Sequence, residues 1–352
     1  AEGYATHSPE DKLAPFSFER REPRSQDVVV DIEYCGICHS DIHFARDEWG
    51  MTTYPVVPGH EIIGRVRSVG DAVTKFKAGD LVGVGVMVDS CHSCHACDQG
   101  LEQYCENGFT ATYGWEDQIG GTPHSHTLGG YSDVITVDES FVLNIPDNID
   151  PAAAAPLLCA GITTYSPLRH WEVGPGQKVG IIGLGGLGHM GVKFAHAMGA
   201  DVVMITTSPE KAKDAKKLGA DEVLLSKDED AMTAAMASFD FLLNTIPVGH
   251  DVNPYMELLK TDRTMVIVGA IEDLTRAIGV PLIFKRRSIA GSLIGGIPET
   301  QEMLDFCGQH NIACDIETID IKDVNTAYDR TVAGDVKYRF VIDMGTLKEC
   351  HK

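Results

Sequence analysis

The sequence predicts a two-domain α/β protein that combines a β-rich domain with a doubly wound parallel sheet. Its 352 residues suffice for two domains of roughly 150 residues each. The first 150 residues are rich in Val, Gly and turn signals, whereas predicted strands and helices alternate from Lys178 onward. We expect residues 1–150 and 290–352 to form the β-rich domain and residues 151–289 to form the parallel sheet.

In the β-rich part, three segments have the apolar runs and glycine breaks of short strands. They are DVVVDIEYCGI (27–37), PGHEIIGRVRSVGDAV (58–73) and FKAGDLVGVGVMVDSC (76–91). The Ala-rich segment 151–169 that follows predicts a helix.

The second half alternates between apolar runs and helical patterns. The predicted strands are 178–183, 201–207, 239–246, 264–270 and 288–296, and the predicted helices are 187–199, 209–219 and 300–312. The last segment, KYRFVIDM (337–344), predicts a strand that returns to the first domain.

Charge and hydropathy exclude several partners. The chain has 29 Lys and Arg against 51 Asp and Glu, a net charge of −22, which disfavours nucleic acid and anionic membranes. No stretch approaches the roughly 18 apolar residues of a membrane span, and residues 1–16 lack the basic patch and apolar core of a secretion signal. We expect a cytoplasmic protein whose acidic charge has no special role. The alternative is that the excess of carboxylates adapts the protein surface to high salt.

Four of the ten cysteines form the array C-x2-C-x2-C-x7-C: Cys91, Cys94, Cys97 and Cys105. Such spacing presents sulfurs to one zinc ion, and four thiolates leave no open position, so the predicted site is structural. Two disulfides or separate buried thiols are the alternatives. His92 and His95 lie inside the loop and could compete as ligands.

The segment GLGGLG predicts a dinucleotide-binding loop because it follows a predicted strand and begins a predicted helix. Gly183 allows the tight turn, Gly185 lets the backbone approach a pyrophosphate, and Gly188 lets helix and strand pack closely. The intervening loop residues are Leu184, Gly186 and Leu187.

Across nearly its whole length the sequence resembles the zinc-dependent medium-chain alcohol dehydrogenases. Within that family it is similar to the cinnamyl-alcohol-dehydrogenase-like branch and to bacterial NADP-dependent aldehyde reductases. The segments that carry the resemblance are CGICHSDIH, YPVVPGHEIIGRV, VDSCHSCHACDQGLEQYCEN, HTLGGYSD, APLLCAGITTYSPLRHW, GLGGLGHMG and GSLIGGIPETQEMLDFC. The implied fold is a GroES-like catalytic domain plus a Rossmann NADP-binding domain.

The resemblance implies a second, catalytic zinc, giving two Zn²⁺ per chain. It assigns Cys38, His60 and Cys159 as ligands, although separations of 22 and 99 residues would not by themselves distinguish them from core or turn residues. Glu61 matches an occasional fourth ligand, and Asp41 matches the carboxylate that orients the ligating histidine.

The same resemblance implies a proton relay and an NADP(H) site. Ser40 and His43 match the relay, and His39 matches a pyrophosphate contact. The implied 2′-phosphate site consists of Thr206, Thr207, Ser208 and Lys211, because the second strand of the sheet has no acidic residue at its end and Asp201 lies at the other end. Further implied cofactor contacts are Thr163, Thr245, Gly269, Ser292, Leu293 and Ile294.

Trp49, Trp115 and Ile294 are substrate-pocket candidates by resemblance. Packing alone is the alternative role for the two tryptophans. The segment 109–126 departs from the relatives, which leaves the substrate range least defined. Cys35, Cys307, Cys314 and Cys350 are expected to be ordinary thiols.

We therefore predict an NADP(H)-dependent alcohol dehydrogenase acting mainly as a reductase of aromatic and medium aliphatic aldehydes, in a homodimer. One alternative is an NAD-dependent polyol or short-alcohol dehydrogenase, which the segment ITTSPEK disfavours. Another is a zinc-stabilised binding protein that has lost catalysis, which the retained Cys38, His60, Cys159 and Ser40 disfavour. The cysteine array excludes a quinone reductase of the kind without zinc.

Overall fold

The chain forms two compact units. The computed structural model describes residues 1–116, 124–269, 274 and 277–349. The first unit comprises Ala1–Cys159 and Gly295–Lys352, and the second comprises Ala160–Ile294. The first boundary lies beyond the predicted residue 150 because Pro151–Leu158 packs on the strands of the first unit. The second lies beyond residue 290 because the strand Ser288–Gly291 belongs to the sheet of the second unit.

The helices and strands follow in chain order. Up to residue 159 they are β1 (Glu2–Ala5), β2 (Ala14–Ser17), β3 (Asp27–Gly36), α1 (His39–Ala45), β4 (Ile62–Val69), β5 (Leu81–Val84), β6 (Met87–Asp89), α2 (His95–Asp98), β7 (Thr110–Ala111), β8 (Val134–Asp138), β9 (Leu143–Asn144) and α3 (Pro151–Ala154). The second unit contains α4 (Ala160–His170), β10 (Lys178–Ile182), α5 (Gly188–Ala197), β11 (Asp201–Thr206), α6 (Lys211–Leu218), β12 (Glu222–Leu225), α7 (Glu229–Ala234), β13 (Phe239–Asn244), α8 (Asn253–Met256), β14 (Leu259–Ile267), α9 (Gly279–Lys285) and β15 (Ser288–Gly291). The first unit is completed by α10 (Ile297–His310), β16 (Ile316–Asp320), α11 (Val324–Val332) and β17 (Arg339–Asp343). Short 3-10 turns cover Glu102–Tyr104, Glu139–Phe141, Ala155–Leu158, Ile321–Asp323 and Met344–Glu349.

A seven-stranded sheet organises the first unit. Its strand order is β16-β17-β3-β4-β5-β9, with β8 also paired to β3. All of these pairs are antiparallel except β16 with β17. The predicted return of segment 337–344 is confirmed, because β17 pairs with β3 through Val341 opposite Gly36.

The second unit is a doubly wound parallel sheet, as predicted. Its six strands run β12-β11-β10-β13-β14-β15, and every neighbouring pair is parallel. In sequence rank this is the order 3-2-1-4-5-6 of a Rossmann fold, whose ligand crevice lies at the carboxyl ends of the strands where the order reverses, here between β10 and β13. The apolar residues of β10, β11 and β13 are almost completely buried.

The Ala-rich segment 151–169 is helical, as predicted, but it is not one continuous helix. It forms α3, then a 3-10 turn, and resumes as α4 after Cys159. Pro156 lacks the N–H that a continuing helix would need. Cys159 itself has φ −129° and ψ −68°, outside helical values.

None of the helices in the described ranges is long and apolar enough to cross a bilayer.

Candidate active site

The four cysteines of the array form one group, the thiolate cluster (Cys91, Cys94, Cys97 and Cys105). Their sulfurs lie within 4.8 Å of one another, and Cys94 Sγ is 3.5 Å from Cys97 Sγ and 3.9 Å from Cys105 Sγ. Four sulfurs at about 2.3 Å from one zinc ion would be roughly 3.8 Å apart. These separations fit zinc and are far beyond the roughly 2.05 Å of a disulfide.

Local backbone contacts favour the anionic form of Cys91 and Cys94, whereas burial raises the pKa of Cys97 and Cys105. The backbone N–H of Glu106 donates to Cys94 Sγ at 3.4 Å. A backbone hydrogen bond at Ser93 is the main cause that lowers the pKa of Cys91 to about 5. His92 is instead paired with Asp89 (Nε2 to Oδ1, 2.7 Å), so it is engaged outside the cluster.

A second group, the mixed cluster (Cys38, His60, Glu61 and Cys159), is also assembled within the first unit. One ligand atom from each residue lies within 4.8 Å of the others. His60, Glu61 and Cys159 are buried, and Cys38 is half-buried. Strand pairing explains the assembly: Cys35 of β3 is opposite Ile62 of β4, so Cys38 and His60 flank adjacent strand ends. The break before α4 supplies Cys159, whose Sγ lies 3.9 Å from Cys38 Sγ.

Asp41 orients the histidine of the mixed cluster. Its fully buried carboxylate contacts His60 Nδ1 at 3.1 Å and accepts hydrogen bonds from the backbone N–H groups of Cys38 (2.8 Å) and Gly59 (3.0 Å). Because Nδ1 is engaged by the carboxylate, Nε2 is the ring nitrogen available to a metal.

Within the mixed cluster, Glu61 is held by an arginine that the sequence analysis did not identify. Arg339, at the start of β17, forms a buried ion pair with Glu61 Oε1. Burial raises the pKa of Glu61 to about 8, while Arg339 opposes that shift. The second carboxylate oxygen, Oε2, is buried without a hydrogen-bond partner among the described residues.

Together these contacts fit a divalent metal at the mixed cluster. An unpartnered buried carboxylate oxygen is costly, and a cation within reach would offset that cost. The hydrogen bond from Cys159 lowers the pKa of Cys38 well below its usual range, which favours the thiolate that zinc binds. Two cysteines and one histidine form a ligand set of catalytic zinc sites, which keep a further position open.

Ser40 and His43 lie one helical turn apart on α1, so both occupy the same side of the helix. Ser40 Oγ is 3.7 Å from Cys38 Sγ, which places the hydroxyl beside the mixed cluster. His43 Nδ1 pairs with the carboxylate of Glu48, a partner that the sequence analysis missed although it lies only five residues away.

Trp49 and Trp115 belong to one aromatic group around Phe44. Their ring centroids lie 5.2 Å and 6.1 Å from that of Phe44, and Tyr113 lies 5.2 Å from the same ring. Tyr113 is in turn 5.7 Å from the ring of His60. An apolar aromatic group therefore begins next to His60 of the mixed cluster.

The predicted dinucleotide loop lies at the carboxyl end of β10. Gly183 has φ +92°, a conformation that favours glycine. A Cβ at Gly188 would lie 1.9 Å from the Gly183 carbonyl oxygen, so no side chain fits there. A Cβ at Gly185 would meet no described atom within 4 Å, so internal packing does not explain that glycine. Leu184, Gly186 and Leu187 complete the loop.

Lys211 reaches the dinucleotide loop from the start of α6. Its Nζ donates to the carbonyl oxygen of Leu184 at 3.0 Å. Thr206 is the last residue of β11, and its hydroxyl accepts from the N–H of Ser208 at 3.2 Å. Thr207, between them, is exposed.

The remaining cofactor candidates are distributed over both units. Thr245 donates to the Ile182 carbonyl oxygen at 2.8 Å, and Gly269 packs against the backbone of Thr245. Ser292, Leu293 and Ile294 follow β15, Thr163 lies in α4, and His39 is the first residue of α1 in the other unit. Residues 117–123 of the divergent segment and Cys350 lie outside the described residues.

Two family models match the chain. The alcohol dehydrogenase GroES-like domain matches residues 24–147, and the zinc-binding dehydrogenase model matches residues 186–309. The aldehyde reductase YahK of Escherichia coli is 56% identical over 97% of this chain and 98% of its own length.

Solved structures of alcohol dehydrogenases are also similar to this chain. A cinnamyl alcohol dehydrogenase of Sorghum bicolor has a TM-score of 0.94 and 44% identity, covering 98% of this chain and 97% of that one. A Helicobacter pylori protein described as CAD complexed with NADP(H) has a TM-score of 0.91 and 42% identity, covering 98% of both chains.

Proposed function

Because the chain belongs to the zinc-binding dehydrogenases of the alcohol dehydrogenase family, we propose that it transfers hydride between NADP(H) and primary alcohols or aldehydes, mainly as an aldehyde reductase. The observation that carries this proposal is the mixed cluster, which combines two thiols, one oriented imidazole and a carboxylate with an unpartnered oxygen. When bound, zinc supplies Lewis acidity toward a carbonyl oxygen and NADPH supplies the hydride.

The residues of this chain then have separate tasks. Cys38, His60 and Cys159 would hold the catalytic zinc, with Glu61 as an occasional ligand, and the thiolate cluster would hold the structural zinc. Asp41 fixes the tautomer of His60 through Nδ1. Arg339 holds Glu61 in place through their buried ion pair, and the aromatic group around Phe44 forms an apolar wall next to His60.

The proton that an aldehyde gains on reduction would come from the Ser40 hydroxyl. Ser40 Oγ lies near Cys38, and His43 shares its side of α1. His43 is about one-fifth exposed and its Nδ1 is engaged by the more exposed Glu48. We propose that Ser40 donates, that His43 restores its proton, and that Glu48 orients the imidazole toward that exchange.

Removing the relay hydroxyl should slow turnover without removing zinc. For Ser40→Ala we expect a loss of about 10²-fold in kcat, since general acid catalysis typically contributes 10² or more. Steady-state kinetics and zinc analysis on the same sample check this. Ser68→Ala, which removes an exposed hydroxyl from β4, is the control and should match the wild type. An unchanged kcat in Ser40→Ala would exclude the relay.

The NADP(H) preference is supported by the end of β11, where hydroxyl and ammonium groups replace a carboxylate. Thr206, Thr207 and Ser208 can donate hydrogen bonds, and Lys211 Nζ lies at the dinucleotide loop. A 2′-phosphate would gain charge-assisted hydrogen bonds there. The Helicobacter pylori relative is described as a complex with NADP(H), which supports the same preference.

A carboxylate at residue 207 should reverse part of that preference. We expect Thr207→Asp to lower kcat/KM for NADPH by about 10²-fold and to favour NADH, because one or two charge-assisted bonds are lost and repulsion is added. Lys211→Ala should raise KM for NADPH and leave NADH unaffected. Thr233→Asp and Lys217→Ala are the matched controls at exposed positions of the second unit. Equal weakening of both cofactors in Lys211→Ala would contradict the phosphate site.

The substrate class is proposed from the aromatic group and from the named relatives, an aldehyde reductase and a cinnamyl alcohol dehydrogenase. Trp49 and Trp115 present aromatic surface that suits a phenyl ring, and Ile294 is a further pocket candidate. The deciding experiment measures kcat/KM with NADPH and with NADH for benzaldehyde, cinnamaldehyde and hexanal. NADPH-dependent reduction of all three supports the proposal, whereas activity confined to NADH or to polyols would contradict it.

We propose that the chain works as a homodimer in the cytoplasm. Strand β15 is an edge strand of the described sheet, so the backbone N–H and C=O groups on its outer side can pair with a second copy of the chain. Helix α9, which precedes β15, exposes Val280, Ile283 and Phe284 by 58%, 78% and 81%. The cytoplasm is supported by the two clusters, because thiols that bind a metal must stay reduced and a reducing compartment keeps them so.

The dimer has a direct test in light scattering. The wild type should have twice the chain mass of 38.1 kDa, and Ile283→Glu combined with Phe284→Glu should shift it to a monomer. The control is Val332→Glu, which changes an exposed apolar residue of the first unit. A monomeric wild type would contradict the homodimer.

A further inference from the structure

A chain of buried hydroxyl groups leads away from the histidine of the mixed cluster. Tyr131, which is fully buried, donates its hydroxyl to Asp41 Oδ2 at 3.2 Å. Tyr328 of α11, 4% exposed, donates its hydroxyl to Tyr131 Oη at 3.4 Å. A series of side-chain contacts therefore connects the C-terminal part of the first unit to His60, and it runs from Tyr328 through Tyr131 and Asp41.

The backbone around Tyr131 is fixed to the segment that carries His60. Tyr131 N–H donates to the Pro58 carbonyl oxygen, and Gly130 N–H donates to that of Gly59, each at 2.9 Å. Gly59 has φ +103°, and a Cβ there would lie 2.7 Å from Tyr131 Cδ1. The glycine before His60 thus lets the tyrosine ring approach closely.

Charge explains why these hydroxyls matter. The Asp41 side chain is fully buried, so each of its oxygens needs hydrogen-bond donors from the protein, and Tyr131 is one donor to Oδ2. Burial, and then the Asp41 charge, raises the pKa of Tyr131 and of Tyr328 well above the usual value, which keeps both hydroxyls protonated. A hydroxyl that itself accepts a hydrogen bond becomes a stronger donor.

We propose that Tyr131 and Tyr328 are positioning residues for the catalytic metal: their hydroxyls hold Asp41 in the orientation that engages His60 Nδ1 and presents Nε2 to zinc. Tyr131 acts directly on Asp41, and Tyr328 acts only through Tyr131. The inference rests on the catalytic zinc of the proposed function. It predicts that these hydroxyls, which touch no ligand atom, control how firmly that zinc is retained.

The test compares zinc release from Tyr131→Phe, Tyr328→Phe and the double variant. Each substitution deletes one oxygen and keeps the ring. Release from the purified holoenzyme is followed with the chelating dye 4-(2-pyridylazo)resorcinol, together with the d–d absorption of enzyme carrying Co²⁺ at the mixed cluster. Tyr255→Phe is the control, because it removes a hydroxyl from a buried tyrosine of the other unit.

Tyr131→Phe should release one zinc about fivefold faster and shift the Co²⁺ bands. Loss of a direct partner of a metal ligand typically costs 10- to 100-fold in metal affinity, and Tyr131 acts one contact further out, through Asp41. Tyr328→Phe should accelerate release by about two- to threefold, and the double variant should match Tyr131→Phe because the two act in series. Release of the other zinc and the Tyr255→Phe control should remain at wild-type values.

Wild-type release rates and Co²⁺ bands in both single variants would overturn the proposal and leave the tyrosines as packing residues. If Tyr131→Phe does not fold, Tyr328→Phe alone decides between these outcomes. If the wild type holds no zinc at the mixed cluster, the proposed function itself is contradicted. If the wild type holds that zinc and both variants release it at the wild-type rate, only the positioning role of the tyrosines is overturned.

Discussion

Replacement of Cys159 by alanine should remove one of two zinc ions and lower kcat/KM by a factor on the order of 10³ or more. The expected loss is large because the variant deletes one of three ligands and with it the several kcal/mol that a Lewis acid contributes to the reaction. Cys159 lies between a 3-10 turn and α4, outside both elements, and we expect the variant to keep its fold. Metal analysis and NADPH-dependent kinetics on the same preparation measure both effects.

Cys307→Ala is the matched control for that variant. Cys307 is fully buried in α10, and its sulfur lies 3.6 Å from Met303 Sδ, so it tests the loss of a buried thiol without the loss of a ligand. It should retain two zinc ions and activity. Full activity in Cys159→Ala, or a single zinc in the wild type, would refute the assignment of the mixed cluster as the catalytic metal site.

The second large effect concerns stability. Cys97→Ala should lose the zinc of the thiolate cluster and lower the free energy of unfolding by about 3 kcal/mol or more, because structural zinc binding contributes folding free energy. For a chain of 352 residues, the corresponding decrease in melting temperature is about 4 °C or more. Calorimetry checks this, with zinc analysis to establish that the zinc of the mixed cluster remains.

His92→Ala provides the comparison within the same loop. His92 pairs with Asp89 rather than with the thiolate cluster, so its loss should leave both zinc ions in place and change the melting temperature little. If His92→Ala released zinc as Cys97→Ala does, the histidine would be a ligand and the four-cysteine assignment would be wrong.

Features that depend on neighbouring residues could be predicted from the sequence. The dinucleotide loop and the thiolate cluster each occupy one short segment, so spacing and flanking elements suffice to identify them. The strand–helix alternation likewise predicted the parallel sheet of the second unit, and the apolar C-terminal segment predicted the returning strand β17.

Features that depend on distant residues could not be predicted from spacing. The pairing of β3 with β4 brings Cys38 near His60. A proline-associated break supplies Cys159, and the helix-like composition of that segment does not reveal the break. For these ligands, family resemblance supplied what periodicity could not. Arg339, Tyr131 and Tyr328 carry no local signal, because their roles arise only when residues more than 80 positions away fold against Asp41 and Glu61.

The most direct test of the proposed hydride transfer follows the hydrogen itself. The holoenzyme is incubated with benzaldehyde and NADPH deuterated at C4, with each face labelled in turn, and the benzyl alcohol is analysed by mass spectrometry. We expect deuterium at the alcohol carbon with one of the two labels and ordinary hydrogen with the other. Alcohol without deuterium from either label, or no alcohol from enzyme that contains two zinc ions, would contradict the function proposed here.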